Sequence, residues 1–283
     1  MPQKPSPPLT AAPGLACQRH AGGWLLRMTD AGHVESGRSA GVSLPLLHRY
    51  LALCREGLYW MHPGFGTDPD AVPPQTQFLL WERTDARYGV LIPLVDGDLR
   101  ATLRGGDDGL AFDVDGALPS SCPEQATVGF AMVGDSPYGL VHDAMGVVSR
   151  LLGSFRLRED KPTPRFSDYL GWCTWDAFYH DVTERKVMAG LRSFSAGGVQ
   201  PGVVILDDGW EQYSGDLLDS FEPDPGKFPG GLGKAIERAK EEFGVRMFGI
   251  HHPFQGYWAG LNPRGELARR YRVRKNAGNI RPW

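Results

Sequence analysis

The chain has 283 residues, a net charge of −3 and four cysteines, with 41% apolar and 22% charged residues. That length holds one large domain or two ordinary ones, and the apolar fraction supports a packed core without disulfide or metal staples. The slight acidity and the lack of a basic block exclude a nucleic-acid surface, and no apolar run is long enough to span a bilayer.

Residues 1–13 are rich in proline and small side chains, with no hydrophobic segment, and read as a disordered tail rather than a signal or transit peptide. Cys17, Cys54, Cys122 and Cys173 are widely spaced and form no Cys-x-x-Cys pair. Free thiols in a reducing cytoplasm fit that pattern, and it offers no metal framework. Residues 14–155 read as an antiparallel β-sandwich. Short apolar segments recur between Gly, Pro, Asp and Ser clusters: Trp24 to Met28, Tyr50 to Cys54, Gln77 to Glu82, Gly89 to Val95, Leu99 to Leu103, Leu110 to Val114 and Ala126 to Val133. Asp107-Asp108-Gly109 follows two glycines with no apolar run before it and predicts a hairpin turn. Pro137 to Leu152 predicts a helix leading out of the sandwich, and the charged, proline-rich residues 156–164 predict an interdomain linker.

Residues 165–283 switch to strand–helix alternation. Tyr169 to Trp175 predicts a strand. Thr183 to Ser195 predicts an amphipathic helix with Val187, Leu191 and Phe194 on one stripe, Asp181 and Glu184 at capping-box spacing and Gly197-Gly198 as its stop. Pro201 to Leu206 is the second strand, apolar on both faces and so expected to be covered on both sides. Leu232 to Phe243 is the second helix, with Leu232, Ile236, Ala239 and Phe243 in line, and Val245 to Ile250 is the third strand. Such alternation demands parallel pairing through right-handed crossovers. The predicted strands end in Trp175-Asp176, Asp207-Asp208-Gly209-Trp210 and His251-His252-Pro253, and none carries a Gly-x-Gly-x-x-Gly turn. Several polar and aromatic strand ends facing one pocket fit a (β/α)-barrel better than a nucleotide crevice. The predicted class is therefore a multi-domain α and β protein: an antiparallel β-sandwich, then the first three βα units of an incomplete (β/α)8 TIM-type barrel.

Acids and large aromatics at carboxyl strand ends suit a sugar, because carboxylates accept from hydroxyls and an indole packs on a pyranose face. Asp207 and Asp208 are adjacent, so their side chains point to opposite faces and do not bracket one glycosidic bond. Hydroxyl binding is the better role for them, with Trp175 and Trp210 as ligand aromatics. The neighbouring His251 and His252 diverge and have no acid or cysteine at ligand spacing, so no metal is expected.

Gly171-Trp172-Cys173-Thr174-Trp175-Asp176-Ala177-Phe178-Tyr179 followed by Leu206-Asp207-Asp208-Gly209-Trp210 resembles the raffinose synthase and seed imbibition proteins, which belong with the glycoside hydrolase family 36 α-galactosidases. The likeness continues in Gln75-Thr76-Gln77-Phe78-Leu79-Leu80, Lys227-Phe228-Pro229-Gly230-Gly231-Leu232 and Gly256-Tyr257-Trp258-Ala259-Gly260, and covers most of residues 45–262 in order. It implies a β-sandwich followed by a (β/α)-barrel. It also implies a galactose subsite walled by Trp175, with Asp207 and Asp208 on the sugar hydroxyls, and an α-galactoside ligand such as galactose, melibiose or a raffinose-type sugar. No cofactor is implied. The family's reaction is retaining cleavage or transfer of an α-galactosyl group.

Three departures matter. Glu211 stands where members usually have Gln after Asp-Asp-Gly-Trp, and His251-His252 stands where the third-strand motif usually begins Trp-His. The sequence contains no Lys-x-Asp, the family's nucleophile motif on the fourth strand, and likeness stops after Pro263. The nucleophile and acid/base are thus expected beyond Trp283. The chain reads as the N-terminal portion of such an enzyme; a non-catalytic galactoside-binding or regulatory protein, or the product of a decayed gene, is the alternative. Three βα units leave the third strand as an open edge through which the chain would self-associate.

Overall fold

The computed structural model describes residues 7–29, 38–56, 60–97, 99–107, 109–116, 125–253 and 256–271. Two compact units divide the chain between Lys161 and Pro162. The first contains β1 (Thr10–Ala11), β2 (Leu15–His20), β3 (Gly23–Thr29), β4 (Arg38–Ser43), β5 (Leu47–Glu56), β6 (Trp60–Gly66), β7 (Thr76–Arg83), β8 (Tyr88–Pro93), β9 (Val95–Asp96), β10 (Leu99–Arg104), β11 (Leu110–Gly116), β12 (Gln125–Gly134) and helix α1 (Pro137–Leu152). Each strand predicted in this half is present. The structure adds β1, β2, β4 and β6, none of which carries a regular apolar alternation, and separates the short β9 from β8. Pro63 sits in β6, which pairs with β5 alone, so its missing N–H costs no ladder bond.

The expected sandwich is corrected in one respect. Its strands form one continuous 12-stranded antiparallel sheet rather than two separate sheets. The junction is β7. It pairs with β5 along one edge, while Leu79–Glu82 pair with β8 and Thr76 reaches Leu103 of β10. The sheet folds there around a core drawn from alternate residues: Leu26 and Met28, Leu79 and Trp81, Leu99, Ala101 and Leu103, Phe112 and Val114. The hairpin expected at Asp107-Asp108-Gly109 joins β10 to β11, with Arg104 opposite Ala111; Asp108 itself lies outside the described residues. Of the tail expected over residues 1–13, residues 1–6 lie outside the described residues, while Thr10 and Ala11 pair with Ser43 and Val42 and Leu9 is buried in the core.

Helix α1 has the predicted bounds. Ser136 caps it by accepting from the Gly139 N–H, Pro137 opens it, and Gly153 ends it at φ 63°. Instead of leading away, it lays Leu140, Ala144, Val147 and Val148 on the second face of the sheet, against Leu25, Val90, Ile92 and Phe130. This is why β8 is apolar at consecutive positions: Leu91 faces the inner core while Val90 and Ile92 face the helix.

The second unit carries three parallel strands, β13 (Gly171–Cys173), β14 (Val203–Leu206) and β17 (Met247–Ile250), in that order across the sheet. Between them lie the single-turn helix α2 (Trp175–Phe178), helix α3 (Glu184–Ala196), the hairpin β15 (Glu211–Ser214) and β16 (Leu217–Pro223), and helix α4 (Gly231–Phe243); α5 (Glu266–Arg270) follows. Helix α3 packs Val187, Met188 and Leu191, and α4 packs Ala235 and Ala239, onto Val204 and Leu206 of β14. Ala235 rather than Ile236 makes the tight contact. Thr183, not Asp181, caps α3 by accepting from the Lys186 N–H, and Asp181 pairs with the Lys186 ammonium instead. The expectation that β14 is covered on both sides fails on one face, where Ile205 is 42% exposed. Both helices lie on the face of Val204 and Leu206, and none of the described elements covers Ile205.

Candidate functional site

Four predicted site residues lie at or just beyond the carboxyl ends of β13 and β14. Asp207 leaves β14 with its N–H donating to Thr174 Oγ1 at 3.0 Å, which ties the two strand ends together. Its carboxylate accepts from Cys173 Sγ at 2.9 Å and from the Asp208 N–H at 2.7 Å, and it stays partly exposed. Burial and the neighbouring Asp207 carboxylate push the Cys173 thiol up, so the sulfur keeps its proton and donates it. Trp175, half-buried, opens α2 just after β13. It meets Tyr179 at 5.2 Å and His180 at 5.1 Å, both edge to face. Tyr179 holds φ 47° and ψ −140°, a strained backbone for a tyrosine, and one placed at this rim.

Asp208 and Trp210, the other two predicted site residues at the end of β14, are enclosed by protein. Asp208 is 2% exposed, with Tyr257 Oη donating to Oδ1 and Trp258 Nε1 to Oδ2, each at 2.8 Å. His180 Nδ1 lies 3.8 Å from Oδ2. Burial and the Asp208 carboxylate hold the Tyr257 hydroxyl far above its usual range, so it is a permanent donor here. Trp210 is 5% exposed in the apolar core, and its Nε1 donates to the His251 carbonyl at 2.8 Å. Gly209 is demanded by its surroundings: φ is +100°, and a Cβ would lie 2.6 Å from His180 Cα. Lys227 Nζ clamps the turn by donating to the carbonyls of His180 (2.8 Å) and Gly209 (2.5 Å).

The rim contains groups that the sequence reading did not assign. Tyr213 stacks on Tyr257 at 4.5 Å and 16°. Glu211 Oε1 lies 2.7 Å from His252 Nδ1. Tyr257 and Trp258 stand in a quoted motif, but nothing in the spacing shows that they close on an aspartate about fifty residues upstream. Among the described residues no group of three or more His, Cys, Asp or Glu is placed to hold a metal ion, and no helix is long and apolar enough to cross a membrane.

The fold is shared with α-galactosidases. The enzyme TtGalA of Thermus thermophilus, solved with stachyose, superposes with a TM-score of 0.55 at 17% identity, over 96% of this chain and 54% of that one. The GH36 enzyme AgaA of Geobacillus stearothermophilus gives 0.51 at 16%, over 91% and 39%. Residues 6–224 match the model of the family described as raffinose synthase or seed imbibition protein Sip1, and the chain belongs to that family. A probable galactinol–sucrose galactosyltransferase 6 of Arabidopsis thaliana is 32% identical over 256 residues, covering 76% of this chain and 34% of that protein. The stachyose synthase of Pisum sativum is 32% identical over 176 residues, covering 61% and 21%. The chain spans about a third of the length of the first of these two curated relatives and about a fifth of the second.

Proposed function

We propose that this chain supplies part of the sugar-binding wall of an α-galactoside-processing protein, with Asp207 and Trp175 as its direct contacts. The observation that carries this reading is the paired strand end. A partly exposed carboxylate is fixed by Thr174, Cys173 and the Asp208 N–H at the end of β14, and a half-buried indole opens the turn that follows the neighbouring strand β13. A carboxylate held by neighbours keeps lone pairs for hydroxyls, and the indole offers the apolar surface a pyranose face needs. Asp208 serves one step back, by orienting Tyr257 and Trp258, and Trp210 by packing beneath the turn. The three parallel βα units are the opening of a (β/α)8 barrel, a reading supported by the strand order and by the gathering of polar groups at one end of the sheet. The free thiols of Cys17, Cys54 and Cys173 support a cytoplasmic setting.

The chain binds rather than cleaves in this reading, since its sequence carries no Lys-x-Asp. The purified chain is expected to show no turnover of an aryl α-galactoside above background. Melibiose is expected to bind weakly, shifting the Trp175 indole signal in an NMR titration, and Asp207→Asn should weaken that binding roughly tenfold, the worth of a hydrogen bond to a charged group. Turnover abolished by Asp207→Asn would instead make that carboxylate catalytic. A titration in which melibiose leaves Trp175 unmoved would remove the sugar wall.

A further inference from the structure

Glu211 follows Trp210 directly and opens β15, yet its side chain is fully buried. Its one hydrogen-bonding partner among the described residues is His252, just past β17: Oε1 lies 2.7 Å from Nδ1, and Oε2 has no partner. The His252 side chain is 35% exposed. Phe221 at 5.1 Å and Trp210 at 6.5 Å flank the ring. The charged and titratable groups near Glu211 are Asp208, His251 and His252, and burial pushes its carboxyl up against the opposing pull of His252. An amide at position 211 could keep the same hydrogen bond without burying a charge. What the carboxylate adds is a preference for the proton on Nδ1, which leaves a lone pair on Nε2 and makes that nitrogen more basic.

The place of the pair matters. Leu206 and Ile250 are register partners, and the His251 N–H donates to the Leu206 carbonyl at 2.8 Å. Asp207 is the first residue past β14 and His252 the second past the neighbouring strand β17, so both lie at the carboxyl end of the parallel sheet, one register step apart. We propose that His252 is a further ligand residue of this site, its Nε2 accepting from a hydroxyl of the bound α-galactoside, and that Glu211 is the residue that positions it. This rests on the α-galactoside reading above.

Long-range 1H–15N correlation spectra of the full chain report the tautomer of His252, assigned by loss of its signals in His252→Phe. Nδ1 should carry the proton and Nε2 the lone pair, and melibiose should move the Nε2 signal together with the Trp175 indole. His252→Phe keeps a ring between Phe221 and Trp210 and should weaken melibiose binding about fivefold. Glu211→Leu should lose the tautomer preference and as much affinity, while Glu211→Gln keeps an acceptor and should bind within about twofold of the parent. A proton found on Nε2, or unchanged affinity in His252→Phe, overturns the proposal. Melibiose that moves Trp175 but not His252 does so as well and leaves the galactoside reading standing. Melibiose that moves neither overturns both.

Discussion

Adjacent carboxylates at the end of β14 meet opposite surroundings because successive side chains of an extended chain point to opposite sides. Asp207 turns to the rim and Cys173, while Asp208 turns inward to Tyr257 and Trp258. Glu211, three residues on, is the more costly burial. Desolvation raises its carboxyl above the ordinary 4.5, and the hydrogen bond to His252 only partly opposes it. The folded chain therefore holds this proton more tightly than the unfolded chain. The stability linked to Glu211 is fully present below the ordinary range and is lost as pH rises through the folded value. Glu211→Gln should flatten that decline and stabilise the chain at neutral pH by on the order of 1–3 kcal/mol. Urea midpoints for both proteins between acidic and neutral pH measure the difference. A gap that fails to widen with pH would show that His252 fully offsets the burial.

Helices were the elements most legible from composition and spacing, because both their stripes and their stops are local. Helix α1 was delimited by Ser136, Pro137 and Gly153, and α4 by Gly244 at φ 67°. The start of α3 at Thr183 was legible, but its cap was assigned to Asp181, because Asp181 and Thr183 both offer capping chemistry and only the backbone decides which of them meets the first turn. Strands without alternation, such as β4 and β6, were missed because their partners rather than their own residues order them. Helix α1 provides an element-scale test. Leu140→Ala opens a cavity against Val90 and Phe130 and should cost about 2–5 kcal/mol, whereas Ser136→Ala loses one cap and should cost about 1 kcal/mol. Thermal or chemical unfolding of each variant checks the ratio. Equal losses would mean that the helix is held by its ends rather than its face.

At the scale of the whole molecule the two units differ in how their sheets are finished. The antiparallel sheet is covered on its inner face throughout and on part of its outer face by α1. Among the described residues the parallel sheet has β13 and β17 as edges, and Ile205 and Ile250 remain exposed. Unpaired edges beside uncovered apolar residues exchange fast and recruit other chains. Hydrogen exchange should therefore be slowest in β3, β7, β8 and β12 and markedly faster in β13 and β17. Sedimentation should show association that grows with concentration. Slow exchange across residues 200–250 in a clean monomer would contradict this.

The sequence by itself determined the two halves, most strands of the first unit, the bounds of α1, the βα alternation and the strand end that bears Asp207. Each of these is written in local periodicity, a cap or a contiguous motif. Tertiary structure alone decided that one antiparallel sheet forks at β7, that Asp208 and Trp210 are enclosed, and that Glu211 meets His252. Those outcomes depend on which side chains from distant segments reach the same volume. Packing settles that by excluding water from some polar groups and not others, and spacing along the chain does not encode it.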